Sequence, residues 1–413
     1  MLKEITFEYI DSLKFVDEIK RNVQLMVSPD IYALMGPRRV GKTFLMLKKA
    51  DELLNMEKNV IYVSFDEPGL KNIPVRDFAT LVRKEYPEGK VYLFLDEIQE
   101  WKDWDFNLRW LHDVKDFTIF VSGSSSVLMS SEIPSRLRGR YTSKLLLPLS
   151  FSEIADFELK TFREKGKALR LMEDYVKFGG FPEVWTTRSR EKIISILETI
   201  FYRDIIERFR VRNVKLFEEV FYYVISNYAN RMTYNALRRS LGALGVKLDT
   251  KTVMSYLKYM QDAFLIFPLY KFSYSEKEKM VSPRKVYIVD TCFSNLFFKG
   301  LDTGRKMENI VFIELLRKKH YENKLLEFYY YMSEDCEVDF VVREGNQTKQ
   351  LIQVTYELNG ENYEREVKGL VKASKKLRCD NLLIITWNLD DVLRENSKEI
   401  KVVPLWRWLM SGA

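Results

Sequence analysis

Gly36-Pro37-Arg38-Arg39-Val40-Gly41-Lys42-Thr43 sets two glycines, a lysine and a threonine at the spacing of a phosphate-cradling loop. In such a loop the backbone N–H groups face phosphate oxygens, helped by the amino end of the following helix. Gly36, Pro37, Arg38, Arg39, Val40, Gly41, Lys42, Thr43 and Phe44 are the predicted nucleotide-binding residues. Lys42 is expected at the β- and γ-phosphates and Thr43 on Mg²⁺, while the side chains at 38 to 40 are free to vary because the backbone does the cradling. A second chemical signal is Val91-Tyr92-Leu93-Phe94-Leu95-Asp96-Glu97, an apolar run that ends in two carboxylates. A buried parallel strand is apolar on both faces, so its first acid marks where it emerges at the carboxyl edge of a sheet. Asp96 is expected to support the Mg²⁺ shell, and Glu97 to orient and polarise an attacking water.

Two further groups belong to this chemistry. Phe117-Thr118-Ile119-Phe120-Val121-Ser122-Gly123-Ser124-Ser125 is another apolar strand closing on small polar residues, and Ser124 is the predicted γ-phosphate sensor, with Ser125 behind it. The same serines also suit a turn that caps the next helix. Arg136, Arg138 and Arg140 crowd into one loop. A guanidinium at a γ-phosphate stabilises charge developing in the transition state, although a basic surface loop has the same composition.

The elements that must position these residues alternate as in an α/β nucleotide-binding unit. Strands are predicted at 31–35, 60–65, 91–95, 117–122 and 142–147, with helices between most of them. Residues 1–160 form the predicted core. Residues 161–213 read as a helical lid interrupted at Gly179-Gly180, with Pro182 shortly after. Residues 214–290 run helix, helix, turn, helix and two strands, the order of a winged helix. In its capped helix from Asp249 to Met260, Val253, Leu257 and Met260 share one face, and Lys251, Ser255 and Lys258 lie away from it, as a recognition helix in a DNA groove requires. The other reading is a structural winged helix that binds protein.

Composition narrows the function classes. The chain has 413 residues, 46% hydrophobic and 30% charged, enough for about two to four domains with their own cores. Sixty-six basic against 59 acidic residues leave a net charge of +7, which permits nucleic-acid contact without requiring it. No apolar stretch is long enough for a membrane helix, and Glu4 and Glu8 occupy positions where a signal peptide is uncharged, so a cytoplasmic protein without a membrane is expected. Cys292, Cys336 and Cys379 are far apart and read as reduced core thiols; His112 and His320 are too few for zinc or triad chemistry.

With Leu137-Arg138-Gly139-Arg140 and Leu147-Pro148-Leu149-Ser150-Phe151-Ser152-Glu153-Ile154 added to the motifs above, the chain resembles the archaeal and bacterial AAA-like ATPases of the STAND and initiator-related group. Phe178-Gly179-Gly180-Phe181-Pro182, Tyr202-Arg203-Asp204 and Gly304-Arg305-Lys306-Met307-Glu308-Asn309 extend the resemblance over nearly the whole chain. It implies a P-loop AAA-like parallel-sheet core, a helical lid, a winged helix and a C-terminal α/β domain of nuclease-like fold at 291–413. By the same analogy Arg140 is the arginine finger, with Arg136 in reserve, acting within its own chain or on a neighbour in a homo-oligomer. Glu337 to Val342 and Leu351 to Thr355 resemble the strand pair of PD-(D/E)xK nucleases, with Glu308 or Glu314 as a further acid. Active enzymes carry an acid and a lysine on the second strand where this chain has Gln353 and Thr355, so an inactive scaffold is expected.

The sequence reading is therefore an ATP- and Mg²⁺-dependent switch that couples nucleotide state to duplex DNA. The alternatives are a signalling ATPase acting on protein partners and, less favoured, an ATP-dependent nuclease. ATP is chosen over GTP on the resemblance, and an Asn-Lys-x-Asp motif for guanine is absent from the sequence.

Overall fold

Four runs rich in Val, Ile, Leu, Phe and Tyr bury both of their faces, as strands inside a parallel sheet do, and a fifth, more polar and less buried strand pairs at the edge. In the computed structural model, which describes residues 1–124, 139–155, 162–297 and 302–410, these are β1 Ile31–Met35, β2 Asn59–Ser64, β3 Val91–Asp96, β4 Phe117–Gly123 and β5 Tyr141–Leu145. They form one parallel sheet in the order β2-β3-β4-β1-β5, and each matches its predicted strand to within a residue or two. Every residue of β1 and β4 is buried, so neither strand shows the alternation of a half-exposed one. Helices Lys42–Asn55, Val75–Glu85 and Trp104–Asp113 connect the strands. The rings of Phe94 and Phe120 stack at 4.6 Å between neighbouring strands. Strand β4 lies between the strand leading into the phosphate loop and the strand ending in Asp96. Of the predicted residues, Ser125, Arg136 and Arg138 lie outside the described ones.

The chain forms two compact units, Met1–Leu147 with Asp262–Phe264, and Pro148–Gln261 with Leu265–Ala413. The second begins with helices Phe162–Phe178, Pro182–Thr187 and Arg190–Thr199. Gly179 ends the first of these in the left-handed region at φ +69°, and a Cβ there would lie 1.7 Å from Asp290 Oδ1. Proline then starts the next helix, where its missing N–H costs nothing.

After helix Val214–Ser226 come β6 Arg231–Met232, helices Tyr234–Ala243 and Thr250–Asp262, β7 Ile266–Leu269, helix Glu276–Val281 and β8 Arg284–Ile288. The three strands pair antiparallel in the order β6-β8-β7. Two elements, β6 and the helix Glu276–Val281, go beyond the sequence reading; both are too short to set up a periodicity. A six-stranded mixed sheet follows, in the order β13-β14-β12-β11-β10-β9. Its strands are β9 Leu326–Met332, β10 Glu337–Glu344, β11 Gln347–Val354, β12 Leu382–Thr386, β13 Asp391–Glu395 and β14 Lys398–Pro404.

Buried charge joins these parts of the second unit. Lys285 on β8 donates to Asp339 Oδ1 at 2.8 Å and to Glu308 Oε1 at 2.9 Å, and Tyr287 donates to the same Glu308 oxygen at 2.6 Å. Burial works against the Lys285 ammonium, yet Asp339 and Glu308 outweigh it and hold the amine charged well above its ordinary range. Burial and the neighbouring Asp339 push Glu308 up to about 7. Asp339 also accepts from the backbone N–H of Val354, and Gln353 accepts from that of Asp339. The cation beside Asp339 is thus Lys285, which precedes the predicted C-terminal domain. Glu314 is drawn away from this cluster by Arg317, at 3.0 Å.

Replacing Lys285 with Met leaves two buried carboxylates without their cation, and a loss of roughly 3–5 kcal/mol is expected in urea unfolding; a change below about 1 kcal/mol would show that the cluster contributes little. A second outcome concerns pH. Asp290 accepts from the N–H groups of Gly180 at 2.7 Å and Cys292 at 2.9 Å, but burial dominates and lifts its carboxyl from 3.8 to about 6. A raised folded pKa means that the folded state binds the proton more tightly, so this contribution is complete below about pH 4 and lost as pH climbs through about 6. Thermal melts from pH 4 to 7 should show the wild type losing stability more steeply than Asp290→Asn, with Glu308 common to both; parallel curves would remove Asp290 as the source.

Candidate nucleotide site

The loop is built where β1 runs out. Gly36 follows Met35, its N–H donates to Gly123 O at 3.3 Å, and a Cβ on it would lie 2.1 Å from the Leu146 carbonyl oxygen. Only glycine fits between β4 and the segment after β5. Gly41 adopts φ +94° as the residue before helix Lys42–Asn55, a left-handed turn that a side chain resists. Arg39 also takes a positive φ of 63°. The helix then buries Leu45, Met46, Leu47, Ala50 and Leu53 against the sheet. From the segment ahead of β1, Arg21 donates to Val40 O at 3.1 Å and to Leu147 O at 2.6 Å, bracing the loop from outside.

Lys42 is buried and its ammonium donates to Gly36 O at 2.9 Å and Pro37 O at 2.8 Å, so the amine lies across the mouth of the loop. Thr43 donates to Asp96 Oδ2 at 2.6 Å, which joins the loop's helix to the end of β3. Tyr62 donates to the same oxygen at 2.7 Å. Ser122 and the Glu97 N–H converge on Oδ1. Burial first, and the Asp96 charge second, push the Tyr62 phenol well above its ordinary range, so it stays a donor. Asp96 is 2% exposed and its charge is spread over four donors.

Glu97 sits in the left-handed region at φ 48°. Its carboxylate accepts from Gln99 and lies 3.7 Å from the Arg38 guanidinium, which is also 4.0 Å from Asp66. The Arg38 side chain is 11% exposed. Position 38 is therefore not indifferent to its side chain, contrary to the expectation from backbone cradling. Ser124 is fully buried and follows Gly123, the β4 residue in register with Met35, so it lies at the same sheet edge as the loop.

Arg140 is placed elsewhere. Its carbonyl accepts from Ile31 N and it immediately precedes β5, at the amino edge of the sheet, where its guanidinium pairs with Asp113. The five residues of β1, about 16 Å at the rise of a strand, separate that edge from Gly36. Within its own chain, Arg140 does not reach the phosphate loop. In the second unit Lys251, Ser255 and Lys258 share an exposed face of helix Thr250–Asp262, opposite buried Val253, Leu257 and Met260. Met254, 46% exposed, sits among them.

Sequence reasoning missed Arg21, Tyr62 and Ser122. Ser122 had a signal, as the first polar residue after the apolar run Ile119-Phe120-Val121 in the strand beside the acidic one. Tyr62 had none, because a tyrosine inside a buried strand reads as core.

No helix among the described residues is long and apolar enough to cross a membrane. Residues 28–155 match a family described as AAA domain. Residues 169–302 and 303–408 match two domains of unknown function, DUF8612 and DUF4143. An uncharacterized protein of Methanocaldococcus jannaschii is 34% identical over 429 residues, covering 100% of this chain and 95% of that protein. One of Haemophilus influenzae is 26% identical over 362 residues, covering 84% of this chain and 88% of that protein. Among solved structures, AMPPCP-bound DnaA from Aquifex aeolicus is similar at 15% identity and a TM-score of 0.22, covering 62% of this chain and 86% of that one, a likeness too loose to carry an argument. At the identity and coverage of the Methanocaldococcus protein, this chain belongs to that protein's family, and it carries its AAA domain over residues 28–155.

Proposed function

We propose that the chain is an ATP-hydrolysing switch whose nucleotide state is coupled to duplex DNA through a winged helix at 214–290. The observation that carries the ATPase half is the 2.6 Å bond from Thr43 to Asp96 beside a glycine loop with no room for a Cβ. Thr43 and Asp96 present hard oxygen ligands side by side and would hold Mg²⁺. Bound there, Mg²⁺ supplies charge neutralisation on the β- and γ-phosphates. Lys42 exchanges its two loop carbonyls for phosphate oxygens. Glu97 orients the attacking water and draws off its proton, and Ser124 contacts the terminal phosphate. Gln99 holds the Glu97 carboxylate in place from its own chain. Arg140 acts as a finger only across a subunit boundary, in a homo-oligomer, since its own loop lies at the opposite sheet edge.

The DNA half is supported by the order helix, strand, helix, helix, strand, short helix, strand around an antiparallel sheet, and by the exposed Lys251, Ser255 and Lys258. A protein-regulated switch is the second reading, favoured by Met254, an apolar side chain on that exposed face.

Lys42→Ala should abolish nucleotide binding, and Glu97→Gln should keep binding while turnover falls by about 10²-fold or more. Hydrolysis by Glu97→Gln at the wild-type rate would take Glu97 out of the mechanism. Duplex DNA should raise the wild-type rate, with an effect that fades as salt increases. Replacing both Lys251 and Lys258 with Ala should lower the slope of log affinity against log salt by about two. An ATPase rate indifferent to DNA at every salt concentration would transfer the proposal to protein partners.

A further inference from the structure

We infer that Arg38 is a catalytic residue of the ATPase site: a guanidinium carried by the phosphate loop itself, held by Glu97 and passed to the terminal phosphate of ATP. This deepens the ATPase reading above and rests on it. Position 38 lies inside the loop that would cradle the phosphates, yet its side chain leaves the loop and runs along the carboxyl edge of the sheet. It ends 3.7 Å from Glu97 Oε1, just past β3, and 4.0 Å from Asp66 Oδ2, just past β2. Arg38 and Glu97 are both largely buried, with side chains 11% and 12% exposed.

Two physical points favour transfer of the guanidinium to phosphate. Arginine stays protonated at any working pH and matches phosphate oxygens in its planar fork, so a phosphate carrying more charge than one carboxylate outcompetes Glu97 for it. Glu97 and a γ-phosphate also repel one another if both occupy this edge, and a cation between them is the group that lets them do so. Arg140, at the opposite edge and paired with Asp113, cannot fill that place within its own chain.

With Arg38 on the terminal phosphate, Glu97 no longer faces that guanidinium, and its carboxylate, held by Gln99, acts on water. ADP offers no terminal phosphate, and Arg38 stays with Glu97. The guanidinium therefore reports which nucleotide is bound, and it stabilises charge on the transferring phosphoryl group.

The test compares equilibrium binding of AMPPNP and ADP, each with Mg²⁺, by calorimetry on the full chain. The variants are Arg38→Ala, Arg38→Lys, Glu97→Gln and the Arg38→Ala/Glu97→Gln pair. Arg38→Ala should weaken AMPPNP by about tenfold or more while leaving ADP within about twofold. Arg38→Lys, which keeps the charge without the fork, should fall between. Glu97→Gln releases the guanidinium and should tighten AMPPNP, and that gain should vanish when Arg38 is already Ala. Equal weakening of both nucleotides by Arg38→Ala and Arg38→Lys would make Arg38 a brace of the loop and overturn the proposal, as would no change in either. Wild type that binds neither nucleotide would overturn the ATPase reading itself, a result separable from failure at Arg38 alone.

Discussion

The Asp96 carboxylate is the point on which the first unit depends. Its two oxygens collect the hydroxyls of Thr43, Tyr62 and Ser122 and the N–H of Glu97, and those donors come from the loop's helix, from β2, from β4 and from just past its own strand. An ionised carboxylate buried to 2% exposure is tolerable only when its lone pairs are satisfied by strong donors. Meeting that requirement fixes how four elements end at one edge, so the electrostatic demand of one side chain sets the geometry of the whole site.

The same logic governs the second unit with different groups. Asp290 takes the backbone N–H of Gly180 across a turn whose neighbour Gly179 cannot carry a Cβ. Arg317 donates to Pro148 O and pairs with Glu314, and Lys285 binds Asp339 and Glu308. All but the Arg317–Glu314 pair, which lies within one helix, link residues far apart in sequence, so the unit is held by polar contacts at its joints as well as by its apolar core. The joint at Lys285 has a chemical side effect. Its ammonium lies within hydrogen-bond distance of two carboxylates and offsets their charge, and among the described residues no group of three or more acids, cysteines or histidines is arranged to hold a metal. Gln353 on β11, a neutral neighbour of Asp339, adds no charge to draw a cation back.

How much of this was legible in the sequence depends on the range of the interaction. Strands β1 to β4 of the first sheet were readable because burial on both faces writes a nearly continuous apolar run, and the loop because phosphate geometry demands glycines at fixed spacing. Asp96 and Glu97 were readable as the first polar residues after such a run. Tyr62, Arg21 and Lys285 were not, because each acts on a residue that only the tertiary fold brings near, and nothing in local spacing separates a core tyrosine from a carboxylate donor. Position 38 failed for another reason: the rule that the backbone cradles phosphate says what a loop needs from its main chain and is silent on where a long side chain can travel.

Arg140 shows what parallel topology adds to a motif. Every strand of the first sheet runs the same way, so residues just after a strand gather at one edge and residues just before a strand gather at the other. Gly36, Asp66, Glu97 and Ser124 all follow a strand, and all lie at the edge of the loop. Arg140 precedes β5, so connectivity alone sends it to the far edge whatever its resemblance to a finger motif, and Asp113 at the end of its helix is there to meet it. For a basic residue near a nucleotide motif, the side of the strand on which it falls therefore decides whether it can reach the phosphates of its own chain or only those of a neighbour.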